Sequence, residues 1–254
     1  MYNISISTGG SFTFPSELAD ITLKQYIDFA TFVEPTMPAE FRRIEEASIA
    51  RNSAETEQEK EKAWKEFDEA VHACDDVVMY RKVYPYFARV VAHFAVGISE
   101  EVILGGGKHG DGMNVGQLEY LYSAIIRIMN KYEEPEYTNV LMVDGELWYL
   151  PMRYMEKSTL IEFAEASQFE ANLKALDNGN WGALAKIMCV LVRKEGEMYS
   201  DKLLKREEMF MSWNLENCLK VAFFLLKRSE ISHQNMQIYM AAQDLMREKQ
   251  ASKN

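Results

Sequence analysis

The segment NVLMVDGELWYLP at residues 139–151 predicts a β-hairpin within a chain whose pattern is otherwise mostly helical. Asp144-Gly145 is among the strongest short hairpin signals, because a tight turn of this kind needs a positive φ at both central residues. The two predicted strands, residues 140–143 and 147–150, are almost wholly apolar. We therefore expect both faces of this hairpin to be covered.

A similar segment, NISISTGGSFTFP, occupies residues 3–15 and predicts a second hairpin around Gly9-Gly10. The two segments align without a gap, and one inserted residue later two predicted helix caps also align. The matched pairs are Asn3 with Asn139, Gly9 with Gly145, Phe12 with Trp148, Pro15 with Pro151 and Thr22 with Thr159. This internal likeness predicts two similar halves, 1–135 and 136–254, packed as one compact unit. Because an isolated hairpin is only marginally stable, we expect the two hairpins to join into one small sheet.

The rest of the chain shows the apolar spacing of amphipathic helices. Helices are predicted after Thr22, over 40–72, over 75–97 with a kink near Pro85, over 115–132, after Thr159, over 181–194, 203–211, 215–228 and 234–249. Arg193 and Lys194 are placed in the last turn of the helix over 181–194, with Gly196 as its C-terminal signal. The predicted fold class is mainly α with a small antiparallel β element, in two similar halves that each consist of a β-hairpin followed by helices.

The predicted helix over 40–72 is heavily charged. Its stretch from Arg42 to Glu69 holds six basic and nine acidic side chains. We interpret it as a solvated helix held by a few apolar anchors, namely Phe41, Ile44, Trp64 and Phe67.

Composition and charge restrict the class of partner. Lys plus Arg is 28 and Asp plus Glu is 39, which gives a net charge of −11. A field of this sign repels nucleic-acid phosphates, so direct nucleic-acid binding is not expected, and a basic partner fits better than an acidic one. The three cysteines, Cys74, Cys189 and Cys218, predict reduced thiols in a reducing compartment. The apolar runs are too short for a membrane span and the N-terminus lacks the pattern of a signal peptide, so we expect a soluble, intracellular protein.

Sequence motifs for catalysis or metal binding are weak. The glycine-rich stretch over 105–116 lacks the first glycine and the hydroxyl residue of a phosphate-binding loop. His72, Cys74, Asp75 and Asp76 form a local group of potential ligands. On a continuous helix only His72 and Asp76 would share a face, and two ligands do not make a zinc site. An acid–base pair among the scattered carboxylates stays open. No residue is assigned as catalytic, cofactor-binding or metal-ligating, and a non-enzymatic role is expected.

The last third of the chain is rich in methionine and aromatic residues, which suit helix faces that adapt to varied partners. The alternative, that these side chains simply fill the core, stays open. The candidate partner-binding residues are Trp181, Phe210, Met211, Trp213, Phe223 and Phe224.

Several blocks resemble helical proteins of tailed bacteriophages, especially those of Bacteroidetes hosts. The blocks are FPSELADITLKQY (14–26), VDGELWYLP with STLIEFAEA (143–166), LAKIMCVLVRKEGEMY (184–199), REEMF (206–210) and VAFFLL (221–226). They resemble that family's proline followed by an ITLxxY helix start, its hairpin and second helix, and its arginine-ended apolar helix before an Arg/Phe helix and a double phenylalanine.

The resemblance implies a virion-assembly role without catalysis or cofactors. Such proteins act as tail-assembly chaperones, or as minor structural or packaged components of the particle. The implied partners are other phage structural or assembly proteins, or a second copy of the chain, in the host cytoplasm during assembly or in the virion. The alternative is a cellular helical adaptor or scaffold with no phage link.

Overall fold

Helices dominate the protein, and its strands form two small antiparallel sheets, which confirms the predicted class of a mainly α fold with a small β element. The computed structural model describes residues 1–5, 11–105, 112–130, 138–150, 181–198, 200 and 202–224. The chain divides into two compact units, Met1–Tyr132 and Glu133–Asn254. Each unit is described by itself.

The first unit opens with the predicted hairpin. Strands β1 (Tyr2–Ser5) and β2 (Ser11–Phe14) pair antiparallel, with Ile4 opposite Phe12. Alternation along β2 turns Phe12 and Phe14 into the core. The backbone of Thr13 also exchanges hydrogen bonds of 3.0 and 2.9 Å with Val96, which ties the hairpin to the segment after a later helix.

Helix α1 (Leu23–Asp28) of the first unit begins where the sequence predicts. It starts at a capping box in which Thr22 accepts from the Gln25 backbone and the Gln25 side chain accepts in return. The predicted kink near Pro85 is confirmed as a π-helical turn, Met79–Val83, because proline has no N–H to donate to the preceding turn. Further helices in the described part of this unit are α4 (Asp76–Val78), α5 (Tyr84–Phe94), α6 (Glu100–Ile103) and α7 (Val115–Asn130).

The single long helix predicted over 40–72 is wrong. The structure has two helices, α2 (Ala39–Ser53) and α3 (Glu57–Ala73), joined by residues 54–56 and packed on each other. Thr56 accepts from the Glu59 backbone N–H at 3.3 Å, and Glu59 Oε2 accepts from the Thr56 N–H at 2.9 Å. This second capping box starts a new helix at a point that the charge pattern alone does not reveal.

The second unit contains the predicted Asp-Gly hairpin. Strands β3 (Val140–Val143) and β4 (Glu146–Tyr149) pair around Asp144 and Gly145, whose φ angles are +52° and +79°. The expectation that both faces are covered is wrong, because Met142 and Leu147 lie opposite each other with 61% and 45% of their surface exposed. The expectation of one joined sheet is also wrong. The first hairpin forms its own two-stranded sheet, and this one belongs to a separate three-stranded sheet.

The third strand of that sheet replaces a predicted helical turn. Helix α8 (Gly182–Leu191) ends earlier than expected, and Arg193–Lys194 form β5 against Trp148 and Tyr149. After a turn at Gly196 (φ +73°), a 3₁₀ turn (Leu203–Arg206) leads into α9 (Glu207–Met211), and residues 215–224 are helical, here α10. The helices predicted after Thr159 and over 234–249 lie outside the described residues. The likeness of the two halves therefore stays a prediction.

Candidate functional site

Three of the six residues predicted to bind a partner lie in the core of the second unit. Phe210, Trp213 and Phe224 expose 0%, 5% and 1% of their surfaces. The rings of Phe210 and Trp213 lie 5.9 and 5.2 Å from the ring of Trp148 in β4 and 4.9 Å from each other, all with edge-to-face geometry. As buried side chains these three cannot be the exposed helix-face contacts that the sequence analysis expects.

The other three candidates, Trp181, Met211 and Phe223, are half-buried. They lie at the start of α8, the end of α9 and within α10, respectively. The structure therefore brings Phe210 and Trp213 together as a packed aromatic cluster and leaves only part of the set accessible.

Charged side chains lie against Trp148 in this cluster. The cationic groups of Lys194 and Arg206 lie 5.1 and 5.8 Å from the centre of the Trp148 ring. Arg206 is held by a two-bonded ion pair with Glu197, and hydrogen bonding from Arg206 lowers the pKa of that carboxyl. Because these cations already have carboxylate and ring partners, we read the cluster as a structural contact.

A more exposed aromatic cluster lies in the first unit. Trp64 of α3 exposes 58% of its surface, which is unusual for the largest apolar side chain. Its ring contacts Phe67 edge-to-face at 6.2 Å, and the Arg51 guanidinium of α2 lies 4.7 Å from Trp64 and 4.3 Å from Phe67. Val71, 42% exposed, continues this side of α3 one turn further. We call the surface formed by Arg51, Trp64, Phe67 and Val71 the Trp64 face.

The spacing of small and large residues along α3 creates this face. Ala63 and Ala70 are buried, as is Ala47 of α2, so the two helices meet through short side chains. Trp64 and Val71 each follow one of these alanines. Because one residue corresponds to a rotation of 100° around the helix, both side chains point away from the surface of α3 that contacts α2. The large apolar side chains of α3 are thus kept largely out of the α2–α3 interface.

Acidic side chains border the Trp64 face. Glu61 and Asp68 are exposed, and helical spacing places them along one edge of the stripe that contains Trp64, Phe67 and Val71, whereas Glu57 lies seven residues before Trp64 and continues the line of the stripe. Glu57 pairs with Lys60 at 3.1 Å, a surface ion pair of little energetic weight. Two carboxylates, those of Glu61 and Asp68, therefore lie beside the apolar stripe, while Arg51 places a cation on the stripe itself.

The start of α2 is fastened to the core of the first unit. Phe41 contacts Phe87 and Tyr122, whose own rings are stacked with centroids 3.8 Å apart. The Tyr122 hydroxyl donates to Glu45 at 3.0 Å, and Lys82 pairs with Glu40. These contacts fix the helix that carries Arg51.

The hydrogen-bonded pair of Glu45 and Tyr122, which joins α2 to α7, is partly buried. Burial raises the pKa of the Glu45 carboxyl, although the Tyr122 hydrogen bond opposes that shift. Burial, and then the Glu45 charge, raise the pKa of Tyr122 above its ordinary value. Because Tyr122 stays protonated, its hydroxyl can keep donating to the Glu45 carboxylate. We therefore assign this hydrogen bond the role of holding α2 against α7.

Metal-binding or nucleophilic groups do not come together in the part of the chain that the structure describes. There, no group of three or more His, Cys, Asp or Glu is placed to hold a metal ion. His72 and Asp76 do not lie on one continuous helix, because α3 ends at Ala73 and Asp76 begins α4. Burial raises the pKa of Cys189 to about 11 and of Cys218 to about 12, so neither thiol is activated as a nucleophile.

Comparison with known proteins identifies no relative. No protein-family model matches the chain, and no curated protein or solved structure matches it either. The helices within the described ranges include none with the length and apolar character needed to cross a membrane.

The Trp64 face is not apparent from the charge pattern of this segment. That pattern predicts Trp64 and Phe67 as apolar anchors of a solvated helix, yet Phe67 is half-buried and Trp64 is largely exposed. A usable signal was present in the alanines at 63 and 70. Each immediately precedes a large apolar residue, so one helix carries two adjacent apolar stripes, and a single neighbour helix covers only one of them.

Proposed function

We propose that this protein is a non-enzymatic bacteriophage virion-assembly or virion-associated protein that acts through protein–protein contacts. It would serve as a tail-assembly chaperone or as a structural or packaged component of the particle. The observation that carries the protein-contact part is the Trp64 face, an exposed tryptophan and arginine next to an apolar stripe on a well-fastened helix pair. The phage assignment rests on the sequence resemblance.

The composition of the Trp64 face supports a binding role. Tryptophan, tyrosine and arginine are enriched among the residues that contribute most to protein–protein affinity. An exposed tryptophan stacked with arginine presents a large, rigid contact area at little cost in side-chain entropy. The acidic chain, with a net charge of −11, suits partners that are basic or that must be kept soluble until assembly.

Quantitative mass spectrometry of purified particles and of infected-cell lysate tests the proposal. Many copies per particle indicate a structural or packaged component, whereas abundance in lysate with absence from particles indicates a chaperone. Absence from both, in a genome with no neighbouring portal, capsid or tape-measure genes, would contradict the phage role and favour the cellular adaptor.

A complementation assay, in which variants of the protein are supplied to a phage that lacks it, tests whether the role depends on the Trp64 face. Trp64→Ala should lower the yield of infectious particles about tenfold or more, since it removes the centre of the contact surface. Ile49→Ala is the matched control, because Ile49 is also exposed but lies on the opposite side of α2 from the buried Ala47. Equal yields from the two variants would remove the Trp64 face from the proposal.

A further inference from the structure

We infer that the Trp64 face binds one amphipathic α-helix whose apolar stripe is flanked by lysine or arginine. The inference rests on the proposed function only because it requires a protein partner. It goes further by specifying the secondary structure and the charge of that partner. The occupant is a single basic helix from another protein.

The apolar spacing of α3 fits a helix as the occupant. Trp64, Phe67 and Val71 are separated by three and then four residues, the spacing by which one helix packs along another. The stripe beside it, Ala63 and Ala70, is already buried in the first unit. A third helix can therefore lie along α3 next to α2 and cover the aromatic rings without displacing either helix.

The charges select a basic helix. Glu61 and Asp68 lie along the edge where the flanking positions of a packed helix would fall. Opposite charges at these positions set partner choice and orientation, and like charges disfavour the wrong partner. Lysine or arginine at the flanking positions of the incoming helix can form ion pairs with the carboxylates along this edge.

A second copy of the chain fits less well. It would bring its own Glu61 and Asp68 to the same contact, and an antiparallel arrangement would set like charges against each other. The net charge of −11 on each copy adds long-range repulsion. Both terms favour a basic partner over self-association.

Two designed peptides test the inference with the full-length protein. Each is about three heptads long and carries leucines in the three-four spacing, and they differ only in having lysine or glutamate at the flanking positions. At physiological salt, isothermal titration should give a Kd for the lysine peptide at least about tenfold lower than for the glutamate peptide.

Three variants locate the binding site. Trp64→Ala should raise the Kd of the lysine peptide about tenfold, and the control Ile49→Ala should leave it unchanged. The double variant Glu61→Lys/Asp68→Lys should reverse the preference toward the glutamate peptide. Circular dichroism verifies that each variant keeps its helix content, which is expected because all four side chains are exposed.

Specific results would overturn the inference. Equal Kd values for the two peptides, or a Trp64→Ala variant that binds as well as the parent, would refute it. Self-association of the free protein that Trp64→Ala abolishes would show instead that a second copy occupies the face. Peptide binding is measured without any phage component. The peptide result can therefore support the inference when the virion role is contradicted, and it can refute the inference when the virion role is supported.

Discussion

At the scale of single residues, two tryptophans have opposite environments. Trp213 is buried against Trp148 and Phe210, whereas Trp64 is mostly exposed and stacks on Arg51. Trp213→Ala should lower the free energy of unfolding by about 3–5 kcal/mol, because it leaves a cavity beside the buried rings of Trp148 and Phe210. Urea denaturation followed by circular dichroism measures this loss.

Trp64→Ala is the control for that prediction, since it removes the same side chain from the surface. Its effect should stay within roughly 0.5 kcal/mol, as for most exposed substitutions. If Trp213→Ala were no more destabilising than Trp64→Ala, Trp213 would not be a core residue, and its role as a partner contact would be restored.

Residue type alone could not separate these roles. Phe210 and Trp213 were expected on a contact surface, yet both are buried, because burial depends on which elements meet. The sequence shows that a residue is apolar and where it falls on a helix. Whether a second helix covers that side is decided by packing between segments distant in the chain.

At the scale of elements, the position at which α3 begins depends on one local capping box. Thr56 and Glu59 exchange two hydrogen bonds that satisfy backbone N–H groups at the helix start. Thr56→Ala should destabilise this end by about 1 kcal/mol, which corresponds to about fivefold faster amide exchange over residues 57–60. Hydrogen–deuterium exchange read by mass spectrometry measures it.

Ser53→Ala, an exposed change three residues earlier at the end of α2, controls for loss of a hydroxyl next to the same connection. It should leave exchange over 57–60 unchanged. Exchange that is the same in Thr56→Ala and in the parent would mean that packing on α2, and not the capping box, fixes where α3 begins.

The elements differ in how far the sequence could predict them. The hairpin at Asp144-Gly145 and helix α1 after Thr22 depend on local signals, and both are confirmed. The break at 54–56 also had a local signal, a threonine followed three residues later by glutamate, which the charge pattern obscured. Strand β5 had none. Arg193 and Lys194 become a strand only because β4 offers Trp148 and Tyr149 as pairing partners.

At the scale of the whole molecule, the acidic balance is the property most directly readable from sequence. A net charge of −11 acts at a distance, before any contact forms, and speeds the approach of a positively charged partner. The Trp64 face acts after contact, through apolar burial and cation–aromatic stacking. These two effects belong to different steps of binding and can be measured separately.

The association rate of the lysine-flanked peptide should therefore fall as salt is raised, whereas the rate of the glutamate-flanked peptide should rise or stay flat. Stopped-flow fluorescence across a salt series measures both rates with the same protein. Trp64→Ala should change mainly the dissociation rate, because it removes contacts in the complex and leaves the net charge at −11. An association rate that does not respond to salt would show that the negative field has no part in selecting the partner. The acidic composition would then concern solubility alone.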